Sequence, residues 1–397
     1  MPEAEFFNRL EMQYASGLPF VAYRKPILNG SSGEVKAFLQ QDDQLNNTED
    51  FTESGFVFAP FDTSEKTILF PENASEKHIF EQVVPEEVSA PVASQKGRIS
   101  EEKMSAHVQL VAKAVAALKA GEMEKVVLSR KEEVELDNPN PLKLFKELLK
   151  AYPTAFVYCW FHPKVGCWLG ATPETLLKVT GTRFKTMALA GTQKYSGTME
   201  VEWGDKEKQE QQFVTDSIVD NLKSSGVEDL EISAPYTAKA GNLLHIRSDI
   251  SGKIPNSKLQ ISENSGTDVP RNVSAIWLNI ISALHPTPAV CGLPKEKAKA
   301  FILEEENYNR EFYTGFLGEL NLQKNVQRSR TRRNVENLAY RAVKKETDLY
   351  VNLRCMKIEN GKAVLFVGGG ITKDSVPEDE WQETVNKSET MKKVLLK

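Results

Sequence analysis

Four strand-like apolar runs crowd residues 125–192: KVVLSRKEEVEL, AFVYCWFHP, GCWLGATPE and TRFKTMALAGT. Segments rich in Val, Phe, Trp, Tyr and Thr, broken by Gly, Pro and charge, favour extended backbone. So many runs demand a large sheet, and a sheet must bury its apolar face against something. Helical patterns supply the cover. Val108, Val111, Val115 and Leu118 recur at helical spacing, with Gly121 as a stop signal. A second helix is predicted over 205–223 and a third near 377–396. With strands and helices alternating, the chain reads as one large α/β (α+β) domain. Residues 1–84 hold shorter strand pieces, LPFVAY, GFVFAP and TILF, and 85–98, PEEVSAPVASQKGR, has linker composition. The expected division is a variable N-terminal portion, 1–97, packed onto the same fold, and a catalytic domain, 98–397.

Composition excludes several classes of function. A net charge of −5 gives no general attraction to nucleic acid or to an anionic membrane. Cys159, Cys167, Cys291 and Cys355 make no CxxC pair and no zinc-ligand spacing. The first residues, MPEAEFFNRLEMQYASG, lack the basic-then-apolar order of a signal peptide, and no apolar run approaches a membrane span. A cytoplasmic protein with neither nucleic-acid nor membrane partners is expected, monomeric, with a dimer as the alternative. One segment stands apart: 323–346 carries Lys324, Arg328, Arg330, Arg332, Arg333, Arg341, Lys344 and Lys345 against Glu336 and Glu346. With Tyr340 its sole aromatic, it reads as a solvated surface excursion rather than a nucleic-acid platform.

Two helices place acids where apolar residues belong. In DKEKQEQQFVTDSIVDNL, Val214, Ile218 and Leu222 form one stripe, and Glu207 and Glu210 continue it. In the C-terminal helix Glu380, Glu383, Lys387 and Met391 share a face, behind Pro377 and a capping box of Ser375 and Glu378. Two inward acid pairs repel unless neutralised, and a hard divalent cation such as Mg²⁺ takes oxygen ligands of this kind. The alternative is that both pairs sit at exposed helix starts, where acids suit the helix dipole.

Other candidates are single residues. AVLFVGGGIT runs a strand into Gly368, Gly369 and Gly370, whose amides can cradle an anion or simply turn the chain. Arg354, inside the strand-like LYVNLRCMKI, has a planar fork that suits a carboxylate. Lys125 opens a strand, where a lysine either reaches solvent or enters a pocket as a usable base. Glu174 follows a Thr-Pro turn and is either an ordinary surface acid or a buried proton donor.

Taken in order, KVVLSR, GATPETLL, LAGT, EQQFV, LLHI, LHPTPAVCGLP, REFYTGFLGEL, NLRCM, GGGIT and EWQETVNK resemble the chorismate-utilising enzymes, which make isochorismate, salicylate, anthranilate or aminodeoxychorismate. The resemblance runs from about residue 124 to the C-terminus and implies two packed antiparallel sheets surrounded by helices. It implies Mg²⁺ on Glu210 and Glu383, with Glu207 and Glu380 in support. It implies chorismate held through Tyr313, Arg354, Gly368, Gly369, Gly370 and Lys387, with Ala190, Gly191, Thr192, His245 and Ala289 lining the site. Lys125 matches the base that activates water, and Glu174 the acid facing the departing hydroxyl. Lys125 stands where ammonia-using members carry a non-base, and Ala190 where aminodeoxychorismate synthases place a nucleophilic lysine. Ala289 replaces a threonine of salicylate synthases. The resemblance therefore implies an isochorismate synthase, with a salicylate synthase as the alternative. The family's histidine after the helix glutamate is Gln211 here, and its Arg-rich turn after LAGT is Gln193–Lys194.

Overall fold

A computed structural model describes residues 1–27, 32–83, 101–227, 229–240, 243–254, 271–325 and 343–395. The linker-like stretch 85–98 and most of the basic segment 323–346 lie outside the described residues. Two antiparallel sheets form the frame. The first runs Gly292–Leu293, Lys125–Glu135, Lys362–Ile371, Cys355–Glu359, Gly166–Thr172, Phe156–His162, Phe20–Arg24, Ser32–Gln40 and Ser75–Val83. The second runs Glu231–Ile232, Leu243–Lys253, Arg183–Lys194, Thr175–Thr180, Val343–Val351, Phe316–Asn325, Gly55–Ala59, Thr67–Pro71 and Asn46–Thr48, with Tyr236–Ala240 also on Leu243–Lys253. Every pairing is antiparallel, so the chain is α+β. Strands of the first 83 residues enter both sheets: Phe20–Arg24 pairs with Phe156–His162, and Gly55–Ala59 with Phe316–Asn325.

Alternation along each strand assigns its two faces. Phe156, Tyr158 and Trp160 point into an aromatic layer between the sheets, while Val157 and Cys159 point to the helices outside. Val21 and Tyr23 face inward in the same way, and Phe20 and Ala22 outward. Opposing residues from the second sheet are Phe56, Phe58, Leu317 and Tyr350. The outer face of the first sheet is covered by helices Glu3–Ala15 and Pro141–Ala151, and that of the second by Asp205–Ser224 and Arg271–Leu284. The helix Glu101–Lys119 ends where sequence periodicity placed its stop, and Gly121 adopts φ +78°.

Two sequence expectations fail locally. LYVNLRCMKI is not one strand: Val343–Val351 belongs to the second sheet and Cys355–Glu359 to the first, and Arg354 sits in the crossover at φ +48°. An apolar run that changes sheets keeps the composition of a strand throughout, so pattern alone does not reveal the break. The capping box is also absent. The helix starts at Pro377, and the Ser375 hydroxyl accepts from the Thr372 amide while donating to Glu380 Oε1 at 2.5 Å.

The aromatic seam carries a testable load. Phe58 is fully buried and stacks on Phe312 at 4.1 Å between centroids, with Trp160 at 5.0 Å. Phe58→Ala is expected to cost about 3–5 kcal/mol in urea or guanidinium unfolding. A loss under about 1 kcal/mol would mean that the seam does not hold the sheets together.

Candidate active site

The two sheets exchange strands at two neighbouring crossovers. Gly166–Thr172 of the first sheet continues through Pro173 and Glu174 into Thr175–Thr180 of the second, and Val343–Val351 returns through Arg354 to Cys355–Glu359. The crossovers are bonded to each other. Val351 N donates to Glu174 O at 3.0 Å, Ala171 N to Arg354 O at 3.1 Å, and the Thr172 hydroxyl to Val351 O at 2.6 Å. Glu174 and Arg354 are thus held side by side on rigid backbone at the mouth of the inter-sheet layer.

A cavity of about 300 Å³ opens there. It is lined by every candidate catalytic, substrate-binding and metal-holding residue of the sequence: Lys125, Glu174, Ala190, Gly191, Thr192, Glu207, Glu210, His245, Ala289, Tyr313, Arg354, Gly368, Gly369, Gly370, Glu380, Glu383 and Lys387. The helical stripes explain how the acids arrive. Val214, Ile218 and Leu222 are buried against the second sheet, which turns Glu207 and Glu210 toward the cavity one and two turns earlier.

The glycine run supplies space. A Cβ at Gly368 would lie 3.0 Å from the Tyr313 hydroxyl, one at Gly370 3.1 Å from Lys125 Cε, and one at Gly369 3.5 Å from Glu380 Oε2. Gly191 adopts φ +67° where the pairing of Arg183–Lys194 with Leu243–Lys253 slips between Ala190 and Gln193. That bulge turns Gly191 O toward His245 Nδ1, 2.8 Å away. Burial pushes His245 down to about 4, so the ring is neutral and Nδ1 donates to the carbonyl.

Charge is distributed unevenly. Lys125, buried rather than reaching solvent, pairs with Glu210 at 2.5 Å, and Lys387 pairs with Glu383 at 2.6 Å while donating to Gly368 O at 2.9 Å. Glu380 Oε2 is buried with no hydrogen-bond partner, and burial raises the Glu380 carboxyl above the ordinary carboxylate range, with Glu383 adding to the rise. Among the described residues no three acidic, histidine or cysteine side chains converge into a finished metal cage. An all-oxygen donor set with one bare buried carboxylate oxygen nevertheless fits a hard cation such as Mg²⁺ better than a zinc-type site.

Glu174 is the most perturbed acid of the cavity. Burial raises it to about 7, against the opposing pull of Lys125 and then Arg354. Sequence offered no sign of this, since its burial follows from the crossover. Sequence also passed over Lys206, exposed at the cavity rim, and Thr372, whose buried hydroxyl has no partner. Neither stands in a pattern that distinguishes it from a surface residue.

The raised acid has a consequence for stability. The native state keeps the Glu174 proton between pH 4.5 and about 7, where the unfolded chain has lost it. Stability is therefore fully present below 4.5 and declines as pH rises toward 7. Glu174→Gln removes that decline. At pH 8 the variant is expected to be more stable than the parent, by on the order of 1–3 kcal/mol in denaturant melts, with the gap closing toward pH 4.5. A gap that does not change with pH would contradict the burial of this carboxyl.

The comparisons agree with the geometry. The chorismate binding enzyme family model matches residues 61–327, and a second model of that description matches 338–393. Isochorismate synthase EntC of Escherichia coli (strain K12) is 28% identical over 292 residues, covering 71% of this chain and 65% of the relative. Isochorismate synthase MenF of the same strain is 27% identical over 296 residues, covering 72% and 59%. The matched region thus spans less than two thirds of either relative's length. A crystal structure described as a putative 2,3-dihydroxybenzoate-specific isochorismate synthase, DhbC from Bacillus anthracis, superposes with a TM-score of 0.68 at 20% identity, over 97% of this chain and 99% of that one. That superposition extends the likeness in fold across both sheets, and with a family model covering more than half of its residues, the chain belongs to the chorismate binding enzymes.

Proposed function

We propose that the chain is an isochorismate synthase, which converts chorismate to isochorismate by adding water at C2 as the C4 hydroxyl leaves. The observation that carries this reading is a buried lysine and a buried glutamic acid, Lys125 and Glu174, lining one cavity, with the acid still substantially protonated near neutrality. A water-adding isomerisation needs a base and an acid of that kind. The relatives named as isochorismate synthases support it, as does Ala190 where covalent catalysis would need a lysine.

In this mechanism Tyr313, Arg354, Lys387 and the amides around Gly368 and Gly370 hold the carboxylates of the dianionic substrate. Glu210 and Glu383, with Glu207 and Glu380 beside them, would hold Mg²⁺, whose charge neutralises the ring carboxylate. To serve as the base, Lys125 must be in its neutral amine form and free of its pairing with Glu210. Lys125 takes one proton from the water, whose oxygen bonds to C2 while the ring double bond shifts. Glu174 gives its proton to the C4 hydroxyl, which departs as water. One water enters and one leaves, so the net reaction is an isomerisation, and solvent exchange restores both side chains.

Product analysis after incubation with chorismate and Mg²⁺ tests the reading. Isochorismate without pyruvate is expected. Salicylate and pyruvate would point instead to a salicylate synthase, and absence of any turnover would remove the proposal. Glu210→Gln and Glu383→Gln should fold and abolish Mg²⁺-dependent activity, and Lys125→Arg should fold and lose roughly 10²–10⁴-fold in kcat. Arginine keeps the charge of Lys125 without serving as a base, so near-normal turnover by Lys125→Arg would leave that residue an electrostatic role alone.

A further inference from the structure

Among the described residues, the strand that opens with Lys125 lacks a full neighbour on one side. Its outer partner, Gly292–Leu293, reaches only Lys125 and Val126. Beyond that, among the described residues, the backbone of Val127 and Ser129 faces outward with no strand to meet it, apart from Val127 N donating to Cys291 O at 2.8 Å. A buried ion pair takes the missing strand's place. Ser129 N donates to Glu306 Oε1 at 2.7 Å, and Arg310 Nη2 donates to Val127 O at 2.7 Å. Glu306 and Arg310 are joined in a bidentate fork, Nε to Oε2 at 2.7 Å and Nη2 to Oε1 at 2.5 Å.

Arg310 continues beyond the strand. Its Nη1 donates to Val290 O at 3.2 Å and to the Thr314 hydroxyl at 3.3 Å. All five N–H donors of the guanidinium are thereby used. The group lies over the Phe61 ring at 4.5 Å, and Arg310 is 2% exposed. The three acceptors belong to three separate walls of the cavity: Val127 is two residues after Lys125, Val290 follows Ala289, and Thr314 follows Tyr313. Arg310 itself does not line the cavity.

We propose that Arg310, braced by Glu306, is a positioning residue that sets the spacing of Lys125, Ala289 and Tyr313 by clamping Val127, Val290 and Thr314 to one planar cation. The proposal rests on the reading of the cavity as the site of chorismate turnover. A lysine at 310 keeps the charge and the partner Glu306 but has three donors on one atom, so it cannot hold three walls in a fixed fork. Misplacing a catalytic group by an ångström costs rate more than binding.

Arg310→Lys and wild type are compared for thermal melting, kcat and KM for chorismate at a temperature where both are folded. The expected result is a fall in kcat of about 10²-fold with KM moved by less than about threefold. Guanidinium added in the millimolar range to Arg310→Ala is expected to restore part of the lost kcat. A folded Arg310→Lys with kcat within about twofold of wild type would overturn the positioning role even if its melting temperature falls. If neither variant folds, Glu306→Asp, which withdraws the brace by one methylene, reads the same split of kcat against KM. A wild-type chain inactive on chorismate overturns the underlying reading and this inference with it, whereas an active wild type beside an unimpaired variant overturns the inference alone.

Discussion

The bonded pair of crossovers at 172–175 and 351–355 is the constraint from which the site follows. Each passes the chain from one sheet to the other, and Val351 N, Ala171 N and the Thr172 hydroxyl tie them together. Backbone that leaves a sheet must find its hydrogen bonds elsewhere, and here each crossover satisfies the other. The result is a short rigid seam that buries one acid, Glu174, beside a half-buried guanidinium, Arg354, in a place where neither could be put by a single strand. Burial there outweighs the pull of Lys125 and Arg354, and the acid keeps its proton to about pH 7. The proposed proton donor is thus a product of topology before it is one of chemistry.

Charge balance shapes the rest of the cavity. Four carboxylates arrive on two helices because their apolar stripes are spent on the sheets. Lys125 and Lys387 answer two of them directly. Glu380 is held by Ser375 through one oxygen and leaves the other bare. Low-dielectric surroundings make such an oxygen costly unless a proton or a cation meets it. In the proposed reading the same surroundings would amplify the charge of a dianionic substrate, so Arg354, Tyr313 and Lys387 would act on it more strongly than in water.

Local periodicity made the helices legible. The alignment of Glu207 and Glu210 with Val214, Ile218 and Leu222 was visible at 100° per residue, and the structure turns that face to the cavity. The glycine run was legible as a place of close approach, but not what approaches it. Arg354 was misread as part of a strand, because a run that changes sheets keeps its apolar composition. Lys125 and Glu174 were ambiguous for a related reason: their burial depends on partners 85 residues and more away, such as Glu210 for Lys125. Ser375 looked like half of a capping box and instead fixes a side chain five positions on. Arg310 opens the motif REFYTGFLGEL, but neither it nor Glu306 carries a periodicity that marks its role, since they sit in irregular backbone after the helix Lys295–Glu305 and act on a strand 177 to 183 residues distant. The family resemblance supplied roles where periodicity was silent, and the cavity supplies the physical reason those residues belong together.

In the proposed reaction water, activated by a base at Lys125, supplies the new hydroxyl while Glu174 expels the old one. The most direct test is to run the reaction in water labelled with oxygen-18 and to locate the label in the product by mass spectrometry. One heavy oxygen is expected in isochorismate, at the C2 hydroxyl. Product that carries only the oxygen originally at C4 would contradict it, because the hydroxyl would then have moved without leaving and no water-activating base would be needed.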